Sequence, residues 1–284
     1  MSRSLRWRSV LFTPATRPDR TARLAATAAD VTVLDLEDAV PVGEKDAARD
    51  GLEAFASAVR AAGPSLVVLA RVNPVTTPWF AADVEAAAAA RVAGVVLPKV
   101  AAAGDAVAVA DAWRAAGGAG EPVILAGIET AAGVEAGPDI LRGGGFAAAY
   151  FGAEDYIADL GGRRSDDSLE VLYARSRVAM AAAIGGVDAI DQVVVRYRDF
   201  DAFRAEAGFA RDLGYRGKLC IHPDQVGLAH AAFTPSPEEV TRARALLDAL
   251  AAAGGGVAAF EGQMIDAPAV AAAEKVLALA EPDS

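Results

Sequence analysis

Short apolar runs alternate with alanine-rich stretches along most of this chain. The runs contain few polar residues, which is the pattern of parallel strands that are buried on both faces. We predict strands at residues 9–13, 31–36, 66–72, 94–100, 123–128, 147–151, 192–195 and 218–221. The stretches between them predict helices at residues 19–29, 44–61, 78–91, 104–116, 169–183 and 200–213.

This alternation of about eight strand–helix units predicts an α/β fold of the TIM (β/α)8 barrel type. A doubly wound open sheet is the alternative architecture. No Gly-x-Gly-x-x-Gly follows the first predicted strand, where residues 13–18 read Thr-Pro-Ala-Thr-Arg-Pro instead. The missing glycines disfavour a dinucleotide-binding form of the open sheet.

A proline-punctuated break at residues 233–237 divides the chain into a predicted barrel domain, 1–232, and a C-terminal helical extension, 233–284. Ser236 is placed to cap a helix over residues 237–253, with Glu239 at the capping-box position. A further helix is predicted to run to about residue 279. Because the extension is too small to fold alone, we expect it to pack on the barrel or on a neighbouring subunit.

Composition narrows the class of partner. The chain has 284 residues, of which 54% are hydrophobic, and a net charge of −11, which disfavours nucleic acid or an anionic membrane as partner. Its one cysteine permits no internal disulfide and favours the cytoplasm. We predict neither a signal peptide nor a membrane span, because no charge-free apolar run is long enough.

Polar residues recur where the predicted strands end, and barrels of this kind carry their active sites at those ends. The set comprises Arg17, Glu37, Asp38, Arg71, Asn73, Lys99, Glu129, Glu154, Asp155 and His222. A carboxylate beside a buried strand loses hydration energy unless another group compensates it. Several acids converging on one rim therefore predict a divalent cation and acid–base chemistry.

Glu129 and Asp155 follow consecutive strands, so their side chains are expected to meet. Oxygen ligands without nearby His or Cys favour Mg²⁺ over zinc. The alternative is that each acid caps a helix or pairs with an arginine. Arg71 ends an apolar strand, and its planar fork suits a substrate carboxylate, or else a structural salt bridge to Glu37 or Asp38.

Three further candidates have weaker signals. Lys99 would form a Schiff base with a ketone if it were neutral, but the neighbouring acids favour a salt-bridged ammonium. Cys220 and His222 form a poor dyad because no orienting group is evident, and Cys220 reads better as a small core residue. Arg17, at the start of the first helix, would hold a phosphate or lie on a solvated face.

Characteristic segments occur in order along nearly the whole chain, at residues 11–18, 34–40, 71–73, 97–100, 128–130, 151–155, 217–223 and 262–266. Together these segments resemble the citrate lyase β-subunit and malyl-CoA lyase-like family, which belongs to the metal-dependent barrel aldolases of the HpcH/HpaI type. Ala15 and Arg23 depart from the pattern, because many relatives carry glycine and lysine there. Both departures concern the loop that binds the thioester.

The resemblance implies a TIM barrel in which Glu129 and Asp155 hold Mg²⁺ and Arg71 binds a substrate carboxylate. It implies that Glu37 and Asp38 support Arg71 and the water molecules bound to the metal. It also implies that Arg17 and Lys99 contact the substrate or its CoA portion. It also implies a homotrimer in which the tail brings Asp266 to a neighbour's site.

The activity implied is reversible Claisen-type cleavage of a 3-hydroxy-3-carboxyacyl thioester of the citryl-, citramalyl- or malyl-CoA type. The products would be acetyl-CoA, or an acyl-carrier equivalent, and a 2-oxo acid such as oxaloacetate, pyruvate or glyoxylate. Asp266 would exchange the proton at the acetyl methyl carbon. The alternatives are a thioesterase for a malyl-CoA-like substrate, a Schiff-base aldolase acting through Lys99, and a citrate lyase subunit that serves an acyl-carrier thioester within a complex.

Overall fold

The chain folds around a closed barrel of eight parallel strands in a computed structural model that describes residues 5–252 and 258–280. The strands are β1 (Ser9–Pro14), β2 (Val31–Asp35), β3 (Val67–Arg71), β4 (Gly94–Leu97), β5 (Val123–Ile128), β6 (Ala148–Phe151), β7 (Asp188–Asp191) and β8 (Gly217–Cys220). Each strand pairs with the next along the chain, and β8 pairs with β1. The predicted TIM barrel is confirmed, and a closed barrel excludes the open sheet.

Helices follow the strands on the outside of the barrel. They are α1 (Thr21–Thr27), α2 (Lys45–Ala62), α3 (Phe80–Ala89), α4 (Gly104–Ala115), α5 (Ala131–Arg142), α6 (Ala153–Asp159), α7 (Leu172–Gly185), α8 (Phe200–Asp212) and α9 (Asp224–Phe233). The sequence carried no prediction for α5, α6 or α9. Helix α5 contains Pro138, a poor helix former, but Thr130 caps its start by accepting the Gly133 N–H at 3.0 Å.

The position predicted for the seventh strand was wrong. We expected it at residues 192–195, whereas β7 ends at Asp191 and those residues form the loop that follows. The strand begins and ends with aspartate, so the valine-rich loop looked more strand-like. Asp191 is tolerated in the wall because Arg175 of α7 donates to it at 2.8 Å and the Lys218 ammonium contacts it as well.

The strand register determines which polar residues meet at the rim. All five residues of β2 are buried, as expected for a strand covered on both faces. Asp35, the last of them, lies beside Arg71 of β3, and Gly127 of β5 lies beside Tyr150 of β6. These pairings bring the ends of β2, β3, β5 and β6 to the same end of the barrel.

The described chain divides into two compact units, residues 6–230 and the residues from 231 onward together with Leu5. The second unit contains α10 (Pro237–Ala252), a hairpin of β9 (Ala258–Phe260) and β10 (Gln263–Ile265), and α11 (Ala267–Ala280). The predicted capping box is confirmed, because Glu239 accepts the Ser236 N–H at 2.7 Å and Ser236 Oγ accepts the Glu239 N–H at 3.2 Å. The predicted end of this helix, residue 253, lies outside the described residues.

No helix within residues 5–252 and 258–280 has the length and apolar character that a membrane span requires.

Candidate active site

A cavity of about 470 Å³ opens at the carboxyl ends of the strands within the barrel unit. Its lining includes five of the ten polar residues that the sequence placed at the rim. Its polar lining includes Arg20, Asp35, Asp38, Arg71, Glu129, Tyr150, Glu154 and Asp155. The cavity therefore brings the predicted metal acids and the predicted carboxylate-binding arginine together.

Arg71 is held by Asp35, a partner that the sequence reading did not select. Its Nε and Nη2 donate to the two Asp35 oxygens at 2.7 and 2.6 Å, and Asp35 is buried. The guanidinium also lies 5.2 Å from the Phe12 ring centre. Burial is the largest single effect and lowers the pKa of Arg71, but the charge and hydrogen bonds of Asp35, together with the charges of Tyr150 and Glu37, outweigh it and raise the pKa overall, so the arginine stays charged.

Glu37 and Asp38 both face Arg71, but only Glu37 is buried. Arg71 Nη1 lies 3.0 Å from Glu37 Oε2 and 3.7 Å from Asp38 Oδ2, and Asp38 is exposed. Burial raises the pKa of Glu37, while Arg71 and Lys99 oppose the rise. The alternative predicted for Arg71, a salt bridge to these acids, is therefore present, although Asp35 is the bidentate partner.

Glu129 is the most deeply buried acid at the predicted metal position, with 2% of its surface exposed. Its Oε1 accepts the backbone N–H of Lys99 at 2.9 Å. Burial, followed by the neighbouring Asp155 charge, raises the pKa of Glu129 to about 7. A carboxylate in this position favours either a proton or a nearby cation.

Two glycines, Gly127 within β5 and Gly152 directly after β6, make room for side chains from the neighbouring strand. A Cβ at Gly152 would overlap Glu129 Oε2 and lie 2.5 Å from Glu129 Cβ. A Cβ at Gly127 would overlap the Tyr150 hydroxyl and lie 2.6 Å from its ring carbon Cζ. The Tyr150 hydroxyl faces Glu129 without reaching hydrogen-bond geometry, and burial followed by the Glu129 charge raises its pKa. The sequence reading missed both Tyr150 and the two glycines.

Lys99 joins three of the predicted site acids. Its ammonium donates to Glu37 Oε1 at 2.8 Å and lies 3.2 Å from Asp155 Oδ1, while its N–H holds Glu129. Burial is the largest single effect and lowers the pKa of Lys99, but the hydrogen bond to Glu37 and the charges of the three neighbouring acids together outweigh it and raise the pKa overall. The salt-bridged ammonium expected from the sequence is present, and it disfavours the neutral amine that a Schiff base requires.

The donor set is compatible with Mg²⁺. No group of three or more His, Cys, Asp or Glu residues within residues 5–252 and 258–280 is arranged to hold a metal by itself. Mg²⁺ commonly uses one or two carboxylates and fills its other positions with water or substrate oxygens. Glu129 and Asp155 supply two such carboxylates in the cavity. Because Gly152 has no side chain, the space that the Glu129 carboxylate occupies stays open.

Other rim residues are engaged outside this cluster. Glu154, for which the sequence suggested no role, accepts from Arg164 Nε at 2.9 Å. Cys220 is fully buried, and burial raises its thiol pKa to about 12, which disfavours a Cys–His dyad. His222 instead stacks on Tyr197, with the ring centres 5.0 Å apart.

A second cavity of about 520 Å³ lies beside the first and shares Phe12, Thr13, Arg20 and Ile221 with it. Its cationic lining consists of Arg17, Arg20 and Arg23. Arg17 pairs with Asp19, with Nη2 and Oδ2 2.7 Å apart, and both side chains are exposed. The exposed pair leaves Arg17 accessible to an anionic group.

Asp266 lies in the second compact unit, at the start of α11. Its side chain is exposed, and its Oδ1 accepts the Ala269 N–H at 2.9 Å. Asp266 therefore caps this helix. Within the described residues of one chain, its carboxylate has no other hydrogen-bond or ion-pair partner.

Comparisons with known proteins agree with this geometry. The family model described as HpcH/HpaI aldolase/citrate lyase matches residues 8–223. A citrate lyase subunit beta-like protein of Deinococcus radiodurans is 48% identical over 275 residues, which cover 95% of this chain and 96% of the relative. A (3S)-malyl-CoA thioesterase of Cereibacter sphaeroides is 33% identical over 284 residues, covering 97% and 95%.

A solved structure also resembles this chain over nearly its whole length. The crystal structure of protein CitE from Mycobacterium tuberculosis in complex with magnesium, acetoacetate and coenzyme A superposes with a TM-score of 0.79. The two sequences are 34% identical, and the match covers 96% of this chain and 97% of that one.

Proposed function

Because this chain belongs to the HpcH/HpaI aldolase/citrate lyase family, we propose that it is a Mg²⁺-dependent carbon–carbon lyase. Its substrate would be a 3-hydroxy-3-carboxyacyl thioester of the citryl-, citramalyl- or malyl-CoA type. The observation that carries the proposal is the presence of Glu129, Asp155 and Arg71 in one cavity at the carboxyl end of the barrel. The magnesium and coenzyme A bound by the related CitE support the same assignment.

Glu129 and Asp155 are the proposed Mg²⁺ ligands. When bound, the ion would supply Lewis-acid stabilisation to an oxygen of the substrate. The chain contributes a buried Glu129, fixed by the Lys99 N–H, and a half-buried Asp155 whose exposure leaves room for substrate. Glu37 and Asp38 are proposed to orient water in the cavity and to hold Arg71.

Arg71 is proposed to bind the substrate carboxylate. Asp35 and Glu37 fix the Arg71 guanidinium at the cavity wall. Because the guanidinium is largely buried, water screens its attraction for a substrate carboxylate only weakly. Arg17 in the neighbouring cavity is proposed to contact the CoA portion, and Lys99 to face the substrate.

The proposed reaction needs no redox partner. Cleavage breaks one carbon–carbon bond, and its electron pair remains on the methylene carbon beside the thioester. The hydroxyl carbon becomes the carbonyl of the 2-oxo acid, and the net proton transfer is from that hydroxyl to the new methyl carbon. We assign the proton delivery at carbon to Asp266, whose exposed carboxylate would act in the site of a neighbouring subunit of a homotrimer.

Two alternatives are favoured by the named relatives. The relative described as a malyl-CoA thioesterase supports hydrolysis of a malyl-CoA-like thioester in the same cavity. The relative described as citrate lyase subunit beta-like supports a role in a complex that presents an acyl-carrier thioester. A cytoplasmic location, which the low cysteine count favours, is part of the proposal for all three.

Product analysis separates these functions. Purified protein with Mg²⁺ is incubated with citryl-, citramalyl- and malyl-CoA, and free thiol and 2-oxo acid are measured separately. A lyase releases 2-oxo acid and acetyl-CoA without free thiol, whereas a thioesterase releases free CoA and an intact hydroxy acid. No turnover of any CoA thioester, with turnover of the acyl-carrier form, would favour the complex subunit.

The metal assignment has its own control. Asp155→Asn removes a proposed ligand and is expected to abolish Mg²⁺-dependent turnover. Asp139→Asn changes an exposed acid on α5 that is paired only with Arg142 in the described structure, and it should leave turnover unchanged. Turnover by Asp155→Asn without Mg²⁺ would contradict the metal role.

A further inference from the structure

We propose that Lys99 is a positioning residue whose ammonium serves as a built-in counter-cation of the carboxylate cluster and weakens its affinity for Mg²⁺. The proposal deepens the proposed function and rests on it, because it concerns the same metal site. It assigns to Lys99 a role toward the metal ligands in addition to the predicted contact with substrate.

The contacts of Lys99 reach both proposed ligands by different routes. Its backbone N–H donates to Glu129 Oε1 at 2.9 Å, while its Nζ lies 3.2 Å from Asp155 Oδ1. The Nζ also donates to Glu37 Oε1 at 2.8 Å. One residue therefore fixes the buried ligand through its backbone and neutralises the half-buried ligand through its side chain.

The backbone at Lys99 is itself unusual. Its φ is +53°, the left-handed region that a residue with a side chain adopts only when its surroundings maintain it. Lys99 is the second residue after β4, and its conformation presents the N–H to Glu129. The geometry would be available to glycine without steric cost, so the backbone alone does not explain a lysine at this position.

The charges of the surrounding side chains explain why a positively charged residue is found at position 99. Four buried or half-buried carboxylates meet at the site: Asp35, Glu37, Glu129 and Asp155. The cationic side chains paired with them are Arg71 and Lys99. Fully ionised, this set carries two more negative than positive charges, which matches a divalent cation. Without the Lys99 side chain the metal-free cluster would be more repulsive, and the metal would bind Asp155 without competition from the ammonium.

The side chain therefore has opposite effects on the two states of the protein. It stabilises the metal-free protein by neutralising Glu37 and Asp155. It weakens metal binding because Mg²⁺ must take Asp155 from the ammonium and then remain close to it. A residue that only supported the site structurally would instead favour both states.

The test uses full-length, metal-free protein titrated with Mg²⁺ in a calorimeter, together with its thermal unfolding midpoint in EDTA. Lys99→Met should bind Mg²⁺ more tightly, by about tenfold or more, and unfold at a lower temperature when metal-free. Lys99→Gly keeps the N–H in an unstrained left-handed backbone and should also bind Mg²⁺ more tightly, while its unfolding temperature combines the lost ammonium contacts with the relieved backbone strain. Lys99→Arg keeps the charge and should stay closer to the unsubstituted protein in affinity.

Arg114→Met is the matched control, because it removes one positive charge from an exposed pair with Asp111 on α4. It should change neither quantity. Unchanged or weaker Mg²⁺ binding by both Lys99→Met and Lys99→Gly would overturn the proposal for Lys99 while leaving the metal role intact. Absence of Mg²⁺ binding by the unsubstituted protein would overturn the metal role and this proposal with it.

Discussion

The Cα of Gly152 lies so close to Glu129 that a Cβ at position 152 would overlap the Glu129 carboxylate oxygen Oε2. The two residues follow neighbouring strands, β6 and β5, so the close approach is a consequence of the parallel register. A glycine after β6 is therefore a requirement for the position of the buried acid, independent of any special backbone conformation.

Gly152→Ala is expected to displace Glu129 and to weaken Mg²⁺ binding and turnover on the order of 100-fold, because small displacements at a reacting site have large effects. Calorimetry with Mg²⁺ and the product assay check the two quantities. Gly51→Ala, in the open surroundings of α2, is the control and should be neutral or slightly stabilising. Equal Mg²⁺ affinity in Gly152→Ala and the unsubstituted protein would contradict the placement of Glu129 as a ligand.

Arg71→Met is expected to lower the free energy of unfolding by about 3–5 kcal/mol, because it leaves Asp35 buried without its partner. Denaturant-induced unfolding measures the loss, and turnover should fall as well. Arg114→Met breaks an exposed ion pair and should change stability by no more than about 1 kcal/mol.

A second substitution separates the two effects of Arg71. Asp35→Asn combined with Arg71→Met removes the buried charge as well as its partner, so part of the stability should return while turnover stays low. If the double variant were less stable than Arg71→Met alone, the buried charge would not be the cause of the loss.

The barrel was predictable because its strands are apolar and covered on both faces. The exception, β7, has aspartate at both ends, and its tolerance depends on Arg175 and Lys218, which lie elsewhere in the sequence. No local pattern contains that compensation. The strand was therefore expected four residues too late, in a run of valines that forms a loop.

The site was predictable as a set of residues but not as a set of partners. The strand-end rule selected Arg71, Glu129 and Asp155 because it needs only the order of elements. The Asp35 partnership depends on the register between β2 and β3, although an aspartate within an apolar run was a usable signal. The space created by Gly127 and Gly152 exists only between strands, so one strand's sequence does not reveal it.

Cys220 is expected to be unreactive in the native protein. Its thiol is fully buried and burial raises its pKa to about 12, so almost no thiolate is present at pH 8. A thiol reagent should modify less than about a tenth of the protein without denaturant and all of it after unfolding. Rapid modification of the native protein, with loss of turnover, would reopen a nucleophilic role for this residue.

His230 is expected to make stability fall at mildly acidic pH. Burial lowers its pKa, with Asp30 opposing and Arg8 adding to the effect, and Ser9 Oγ lies 2.8 Å from its Nε2. Below about pH 6.5 the unfolded chain binds a proton that the folded protein resists. The contribution of His230 is therefore present above pH 6.5 and is lost as the pH falls through that value toward the folded pKa.

The measurement is the free energy of unfolding at pH 7.5 and 5.5 for the unsubstituted protein and His230→Gln. Glutamine keeps a polar group for Ser9 but does not titrate, so the variant should lose less stability between the two pH values. Because the carboxylates titrate in both proteins, their effect cancels in the comparison. A greater loss in the variant would mean that the folded pKa of His230 is raised.

Asp266→Asn is expected to reduce turnover by about 100-fold or more while leaving Mg²⁺ affinity unchanged, if Asp266 transfers the proton at carbon. Asparagine also caps helices well, so α11 should keep its start and the variant should fold. Loss of the signal for exchange of the acetyl methyl protons, followed by NMR in deuterated water, would locate the defect at the proton transfer. Normal exchange in the variant would contradict the role.

Two inactive variants, mixed, reveal which chain supplies Asp266. Oligomers of Asp155→Asn and Asp266→Asn are dissociated, combined in equal amounts and reassembled. If each tail serves a neighbour's barrel, half of the barrels keep Asp155 and half of the tails that reach them keep Asp266, so about a quarter of the unsubstituted turnover should return. If each tail serves its own barrel, no site contains both native residues and turnover stays absent. Each variant reassembled with itself gives the baseline against which the recovery is measured.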